Sequence, residues 1–149
     1  MIALNYINKS SAAIAAMKDY ENMKLIIENT SKEVKDAYDD MFSINSAKLD
    51  GLPKAYDPKA GELKIAGCLD RIDLMQERYR QAMEYMAWFE PAWNSLTCEE
   101  RRILEEFYMQ NSQRSGATAR LSYDLCYSET HVERLRGKSL RRLTKLLYG

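Results

Sequence analysis

The chain has 149 residues, enough for one ordinary domain, or for a small domain with a helical extension, around a real hydrophobic core. Its 22 basic and 22 acidic side chains cancel, but residues 96–149 hold ten basic and seven acidic ones, against 12 and 15 in residues 1–95. Residues 2–16 contain no continuous apolar run, which excludes a secretory signal or a membrane span there, and we expect a cytoplasmic protein.

The three cysteines, Cys68, Cys98 and Cys126, are 30 and 28 residues apart. This spacing fits no zinc-binding motif, and an odd number leaves one thiol over in any disulfide scheme. We therefore expect reduced, packed cysteines, with no bound metal and no cofactor.

Two heptad patterns predict two long amphipathic helices of similar length in the N-terminal part. In both patterns, steps of three and four residues connect mostly apolar side chains for more than three heptads. The first pattern contains Tyr20, Met23, Ile27, Thr30, Val34, Ala37, Met41 and Ile44. The second contains Ile65, Cys68, Ile72, Met75, Tyr79, Ala82, Met86 and Phe89.

The segment between the two patterns cannot continue a helix, because it contains Gly51, Pro53 and Pro58. Asp57 is a suitable N-cap and Pro58 a suitable first residue for the second helix. Two equal helices joined in this way predict a long antiparallel, coiled-coil-like hairpin over residues 1–92. Small residues in both seams leave a single pair thinly packed, so we expect further helices or a second subunit, most simply a homodimer.

Shorter helices follow the second heptad pattern. Pro91 should interrupt the second long helix or restart a short one through Trp93. A capping box of Thr97 and Glu100 then predicts a new helix from about residue 98 to residue 110.

A polar turn over residues 111–116 and a short helix over residues 117–124 come next, followed by a break at Cys126 and Tyr127. Ser128 can cap the last helix. The short helix points Leu121 and Leu125 inwards. The apolar positions of the last helix are Val132, Leu135, Leu140, Leu143, Leu146 and Leu147. Two helices sharing such a small core predict a helix-turn-helix within a domain of residues 93–149, and the fold class is all-α.

Six of the chain's 22 basic residues lie within residues 128–147. Lysines and arginines near a helix end can simply complement the helix dipole and stay in solvent. Alternatively, they can neutralise DNA phosphates, because they cluster on the side opposite the leucines. We favour the second interpretation, with double-stranded DNA as the partner. The basic cluster comprises His131, Arg134, Lys138, Arg141, Arg142 and Lys145.

The stretch SETHVERLRGKSLRRL, residues 128–143, resembles the recognition helix in the fourth conserved region of sigma factors. It has a capping Ser, a polar turn, two aliphatic residues three apart and a closing LRRL segment. Residues 96–108 resemble the helix that precedes it in that family. Over nearly its whole length the chain is similar to small phage and prophage regulators of Gram-positive bacteria that control late genes and autolysins.

This resemblance implies transcriptional control, with RNA polymerase as a candidate partner. Sigma factors commonly carry Arg at the positions of Glu129 and His131. Arg reads guanine through two hydrogen bonds, whereas Glu can accept one from cytosine, so we do not expect the usual promoter element as the target. The implied base contacts are Glu129, Thr130, His131 and Arg134, and the implied backbone contacts are Ser128, Lys138, Arg141 and Arg142, with Lys145 alongside.

Two other classes of function share these features. A small terminase subunit also joins a helix-turn-helix to an oligomerising coiled coil, and a helical adaptor would use the hairpin alone. We do not expect an enzyme, because the single histidine, His131, has no nucleophile or acid partner arranged around it. The sequence also contains no phosphate-binding loop, dinucleotide fingerprint or metal-ligand spacing.

Overall fold

The computed structural model describes residues 8–45, 58–110 and 116–149, and apart from short turns these residues are helical with no strand. The helices are α1 (Lys9–Asn45), α2 (Pro58–Asn94), α3 (Cys98–Leu104), α4 (Ala117–Leu125) and α5 (Glu129–Tyr148). A π-helical turn, Glu105–Met109, continues α3. The all-α class is confirmed. None of the helices in the described ranges combines the length and apolarity needed to cross a membrane.

The long helices α1 and α2 pack together, and most of the predicted seam side chains are shielded from solvent. Among them, Thr30, Ala37, Ile72 and Ala82 are buried, but Tyr79 is 38 % exposed. The second helix begins at Pro58, as predicted. The expected linker features at residues 50–57 lie outside the described residues.

Pro91 does not interrupt α2, which runs through it to Asn94, so the expected break is wrong. A proline removes one backbone hydrogen bond, here to the carbonyl of Ala87, a residue that is exposed and can bond water instead. The neighbouring Phe89 and Trp93 are buried, and their packing holds the last turn of the helix.

Compact packing groups the described residues into two units, and the division between the units falls inside both long helices. One unit contains the chain up to Met23 together with Glu84–Gly149, and the other contains Lys24–Met83. Each long helix thus contributes to both units.

The unit that contains α5 has two hydrophobic clusters. In the first, the start of α1, the end of α2 and α3 surround Leu143 of α5. An aromatic stack crosses this cluster, with Phe89 5.5 Å from Tyr20 and 5.7 Å from Trp93 between ring centroids. The buried members are Ala16, Met17, Phe89, Ala92, Trp93, Leu96, Leu104 and Leu143.

The second cluster joins α3, its π-helical turn, α4 and the first half of α5. Its buried members are Ile103, Phe107, Ala117, Leu121 and Val132, with Leu125 and Leu135 packed against them. The four residues predicted to form a small core at this end, Leu121, Leu125, Val132 and Leu135, do so. Leu146, also expected to point inwards, is 46 % exposed.

Local signals set the helix ends. The predicted capping box is present: the Glu100 amide donates to Thr97 Oγ1 at 3.2 Å, and the Thr97 amide donates to Glu100 Oε2 at 3.0 Å. Gly116 precedes α4 with φ +91°, a conformation that favours glycine. The polar turn expected at residues 111–115 lies outside the described residues.

All three cysteines are free thiols. Cys98 and Cys126 are exposed, however, so the expectation that the cysteines are packed inside holds only for the half-buried Cys68. Within the described ranges, no three metal-ligating side chains come together.

Candidate nucleic-acid interface

A short break between α4 and α5 fixes where the last helix begins. Cys126 ends α4 in the left-handed conformation, φ +55°. The Ser122 hydroxyl donates to the Tyr127 carbonyl at 2.6 Å, and the Tyr127 amide donates back to the Ser122 carbonyl at 3.2 Å. Ser128 then caps α5 by accepting a hydrogen bond from the His131 amide at 3.3 Å. The predicted cap is confirmed.

One side of α5 is anchored along its length by the two hydrophobic clusters. Val132 and Leu143 are completely buried, one in each cluster. Truncating such a leucine to alanine typically costs about 2–5 kcal/mol. The helix is therefore held at both ends, and its opposite side faces solvent.

The solvent side of α5 carries a row of four cations, which we call the cationic row: Arg134, Lys138, Arg141 and Lys145. All four are exposed. Their spacing of four, three and four residues keeps them within an arc of about 60° on an α-helix, over about 16 Å. Arg141 donates to the carbonyl of Gly137 in its own helix at 3.1 Å. In the described part of the chain, the other three side chains have no hydrogen-bond or ion-pair partner.

The first turn of α5 holds the other predicted contact residues. Ser128, Glu129 and Thr130 are exposed, and His131 is half-buried with its ring 4.8 Å from that of Tyr127, edge to face. Thr130 and His131 border the cationic row. Glu129 lies about 140° around the helix from Arg134, so it belongs to a different side.

Arg142 lies at the edge of the row, and its guanidinium is already occupied. Nη1 donates to Glu100 Oε2 at 2.8 Å, and Nη2 donates to the carbonyl of Ser95 at 3.3 Å. Partial burial pulls the pKa of Glu100 upward. The Thr97 amide and the Arg142 guanidinium outweigh that effect, so the pKa lies below its ordinary value.

Arg136 was not among the predicted contacts, and it is also occupied. It forms an ion pair with Glu133 at 2.8 Å, and its guanidinium carbon lies 4.9 Å from the centre of the Phe107 ring. Glu133 accepts a further hydrogen bond from Thr118 of α4 at 2.8 Å. Helical spacing alone places Arg136 about 160° away from the cationic row, a signal available from the sequence.

No family model, curated protein or solved structure matches the chain significantly. An exposed row of four cations on a firmly packed helix can bind a polyanion with regularly spaced charges.

Proposed function

We propose that the chain is a sequence-specific transcriptional regulator that binds double-stranded DNA by placing α5 in the major groove. One observation carries the proposal: the cationic row is exposed along a helix whose opposite side is buried. The major groove of B-DNA is about 12 Å wide and admits an α-helix. Cations along the helix would contact the flanking phosphates.

The arrangement of α4 and α5 supports a helix-turn-helix interpretation. A three-residue break separates the helices, the second helix begins with a serine cap, and both share a core with α3. In such motifs, residues at the start of the second helix contact bases. Thr130 and His131 are then the proposed base contacts, with Ser128 and Glu129 beside them. Arg134, for which the sequence resemblance implies a base contact, is proposed as a phosphate contact because it belongs to the cationic row.

The long helices would serve assembly or partner binding. We propose a homodimer formed through α1 and α2, which would present two copies of α5 to two half-sites. A role in a phage or prophage rests on the resemblance of nearly the whole chain to small phage and prophage regulators. Contact with RNA polymerase rests on the resemblance of residues 96–108 and 128–143 to the fourth region of sigma factors.

A salt-titrated binding experiment tests the proposal. Fluorescence anisotropy with random duplexes, and with sequences selected from a random pool, would compare wild type with Arg134→Gln/Lys138→Gln/Arg141→Gln/Lys145→Gln. We expect wild-type affinity to fall steeply with salt and the variant to bind at least about 100-fold more weakly, because it lacks four phosphate contacts.

A matched control removes the same charge elsewhere. Lys24, Lys32, Lys35 and Lys64 are all exposed on α1 and α2, and changing all four to Gln should leave DNA affinity within about threefold. Equally weak binding by wild type and the cationic-row variant at low salt would show the proposal to be wrong. In that case a stable protein partner in a pull-down would favour the adaptor function.

A further inference from the structure

The six cations of α5 divide into two groups by their contacts. Arg134, Lys138, Arg141 and Lys145 are exposed, and in the described residues they form no hydrogen bond or ion pair with another helix. Arg136 and Arg142 each bridge α5 to other parts of its unit. The division does not follow from charge, because all six side chains are cations. Helical spacing separates Arg136 from the cationic row, but it leaves Arg142 at the edge of the row.

Arg142 connects the second half of α5 to the start of α3. Its two contacts reach the Glu100 carboxylate and the Ser95 carbonyl, 42 and 47 residues away in sequence. The Glu100 side chain is only 12 % exposed, and the Arg142 side chain is 48 % exposed. If Arg142 turned to a phosphate, a largely buried carboxylate would lose its cation, which is unfavourable.

Arg136 makes the corresponding connection in the first half of α5. Its guanidinium is held against Phe107 of the π-helical turn and paired with Glu133, which is itself bonded to Thr118 of α4. The two arginines thus fix α5 against α3 and α4 at points about 9 Å apart along the helix.

We infer that Arg136 and Arg142 are positioning residues, and that among the six cations of α5 the four of the cationic row neutralise DNA phosphates. The DNA part of this inference rests on the proposed function. It assigns Arg142 a different role from the phosphate contact that the sequence resemblance implies.

The number of phosphates contacted can be counted from the salt dependence of binding. The logarithm of the binding constant falls against the logarithm of salt concentration with a slope of about −0.9 per neutralised phosphate. Four contacts give a slope of about −3.6 per protomer, and six give about −5.4. The measurement needs the full chain, a duplex of the selected sequence and the stoichiometry of the complex by sedimentation.

Single variants distinguish a positioning role from a phosphate contact through two measurements, the Tm and the salt slope of DNA binding. Arg142→Gln and Arg136→Gln should leave the salt slope unchanged but lower Tm by about 2–4 °C. Arg134→Gln should make the slope less steep by about 0.9 and leave Tm unchanged. A slope reduced by Arg142→Gln with an unchanged Tm would overturn the inference.

A double-mutant cycle of melting temperatures, with Glu100→Gln and Arg142→Gln, tests the Arg142–Glu100 pair without DNA. Gln can still form the capping box with Thr97, so this variant removes mainly the ion pair. If Arg142 acts through Glu100, the double variant should lose little more Tm than either single variant, whereas additive losses would overturn the positioning role. A wild type that binds no DNA at any salt concentration refutes the proposed function and the phosphate count, while this cycle still decides the role of Arg142.

Discussion

Glu100 shows how one side chain can serve two neighbours at once. Its Oε2 atom accepts from the Thr97 amide at 3.0 Å and from the Arg142 guanidinium at 2.8 Å. The first hydrogen bond caps the N-terminus of α3, and the second connects α3 to α5. Protonating this carboxyl would weaken both, because a neutral acid attracts a guanidinium less strongly and is a poorer acceptor.

The lowered pKa of Glu100 gives stability a predictable pH dependence. A carboxyl with a lower pKa in the folded state stabilises the fold above its unfolded pKa, close to 4.5, and this stability is lost as the pH falls through the folded value. At pH 7 we expect wild type to exceed Glu100→Gln by about 1 kcal/mol in unfolding free energy. The difference should shrink as the pH falls below the ordinary value of 4.5 and through the lower pKa of the folded state.

Chemical denaturation of both proteins between pH 3 and pH 7 measures this difference. Glu28→Gln is the matched control, since Glu28 is an exposed acid on α1. Its difference from wild type should stay small at every pH. If the unfolding free energies of wild type and Glu100→Gln differ by the same amount from pH 3 to pH 7, the role assigned to the Glu100 carboxylate is wrong.

Local signals in the sequence were enough to predict most of the helices. The seams of α1 and α2, the Thr97 capping box and the Ser128 cap all depend on residues within one or two helical turns of each other. Periodicity also indicated the small core around Leu121 and Val132. The exposure of Arg134 and Lys138 followed from the same periodicity.

Features that depend on distant contacts could not be predicted from the sequence. Pro91 stays helical because Phe89 and Trp93 are packed on either side of it. The Arg142–Glu100 pair joins residues 42 positions apart, and nothing in either segment specifies the other. The π-helical turn at Glu105–Met109 has no local signal that we can identify.

Two glycines of the α4–α5 region should respond in opposite ways to the same substitution. Gly116 has φ +91°, and an added Cβ would lie 3.4 Å from the Arg120 guanidinium, so Gly116→Ala should destabilise the fold by about 1 kcal/mol. Gly137 lies inside α5 with nothing within 4 Å of an added Cβ. Gly137→Ala should therefore stabilise by about 0.5–1 kcal/mol.

Urea denaturation of the two variants, each compared with wild type, checks the prediction. The pair controls for the general effect of replacing glycine by alanine on the unfolded chain. Destabilisation by Gly137→Ala would indicate that the α5 backbone at this position is not regular helix in solution.

At the scale of the whole molecule, the described residues of Lys24–Met83 bury little of their apolar surface. Its buried apolar side chains in the described residues are Ala37, Ile72, Met75 and Ala82. Eight large apolar side chains of the same unit are exposed by more than a third: Leu25, Tyr38, Phe42, Leu63, Leu69, Leu74, Tyr79 and Met83. So much exposed apolar surface is unusual for a monomer and favours self-association.

We expect the chain to form a homodimer that depends on this surface. Phe42 and Leu63, one on each long helix, are the most exposed, at 63 % and 73 %. If both are buried on association, Phe42→Ser/Leu63→Ser should raise the dimer Kd at least about tenfold, because each large apolar side chain is worth about 1.5–3 kcal/mol. Lys35→Ser/Lys64→Ser, which changes exposed polar positions on the same helices, should leave the Kd unchanged.

Sedimentation velocity over a range of protein concentrations distinguishes the possible assemblies. A dimer would present two copies of α5 and agrees with a regulator that binds two half-sites. An assembly of eight or more subunits would favour the packaging function instead, because small terminase subunits form large rings. A wild type that remains monomeric at about 100 µM, far above the micromolar Kd of a moderately strong dimer, would contradict the prediction. The exposed apolar side chains of Lys24–Met83 would then require a different protein partner.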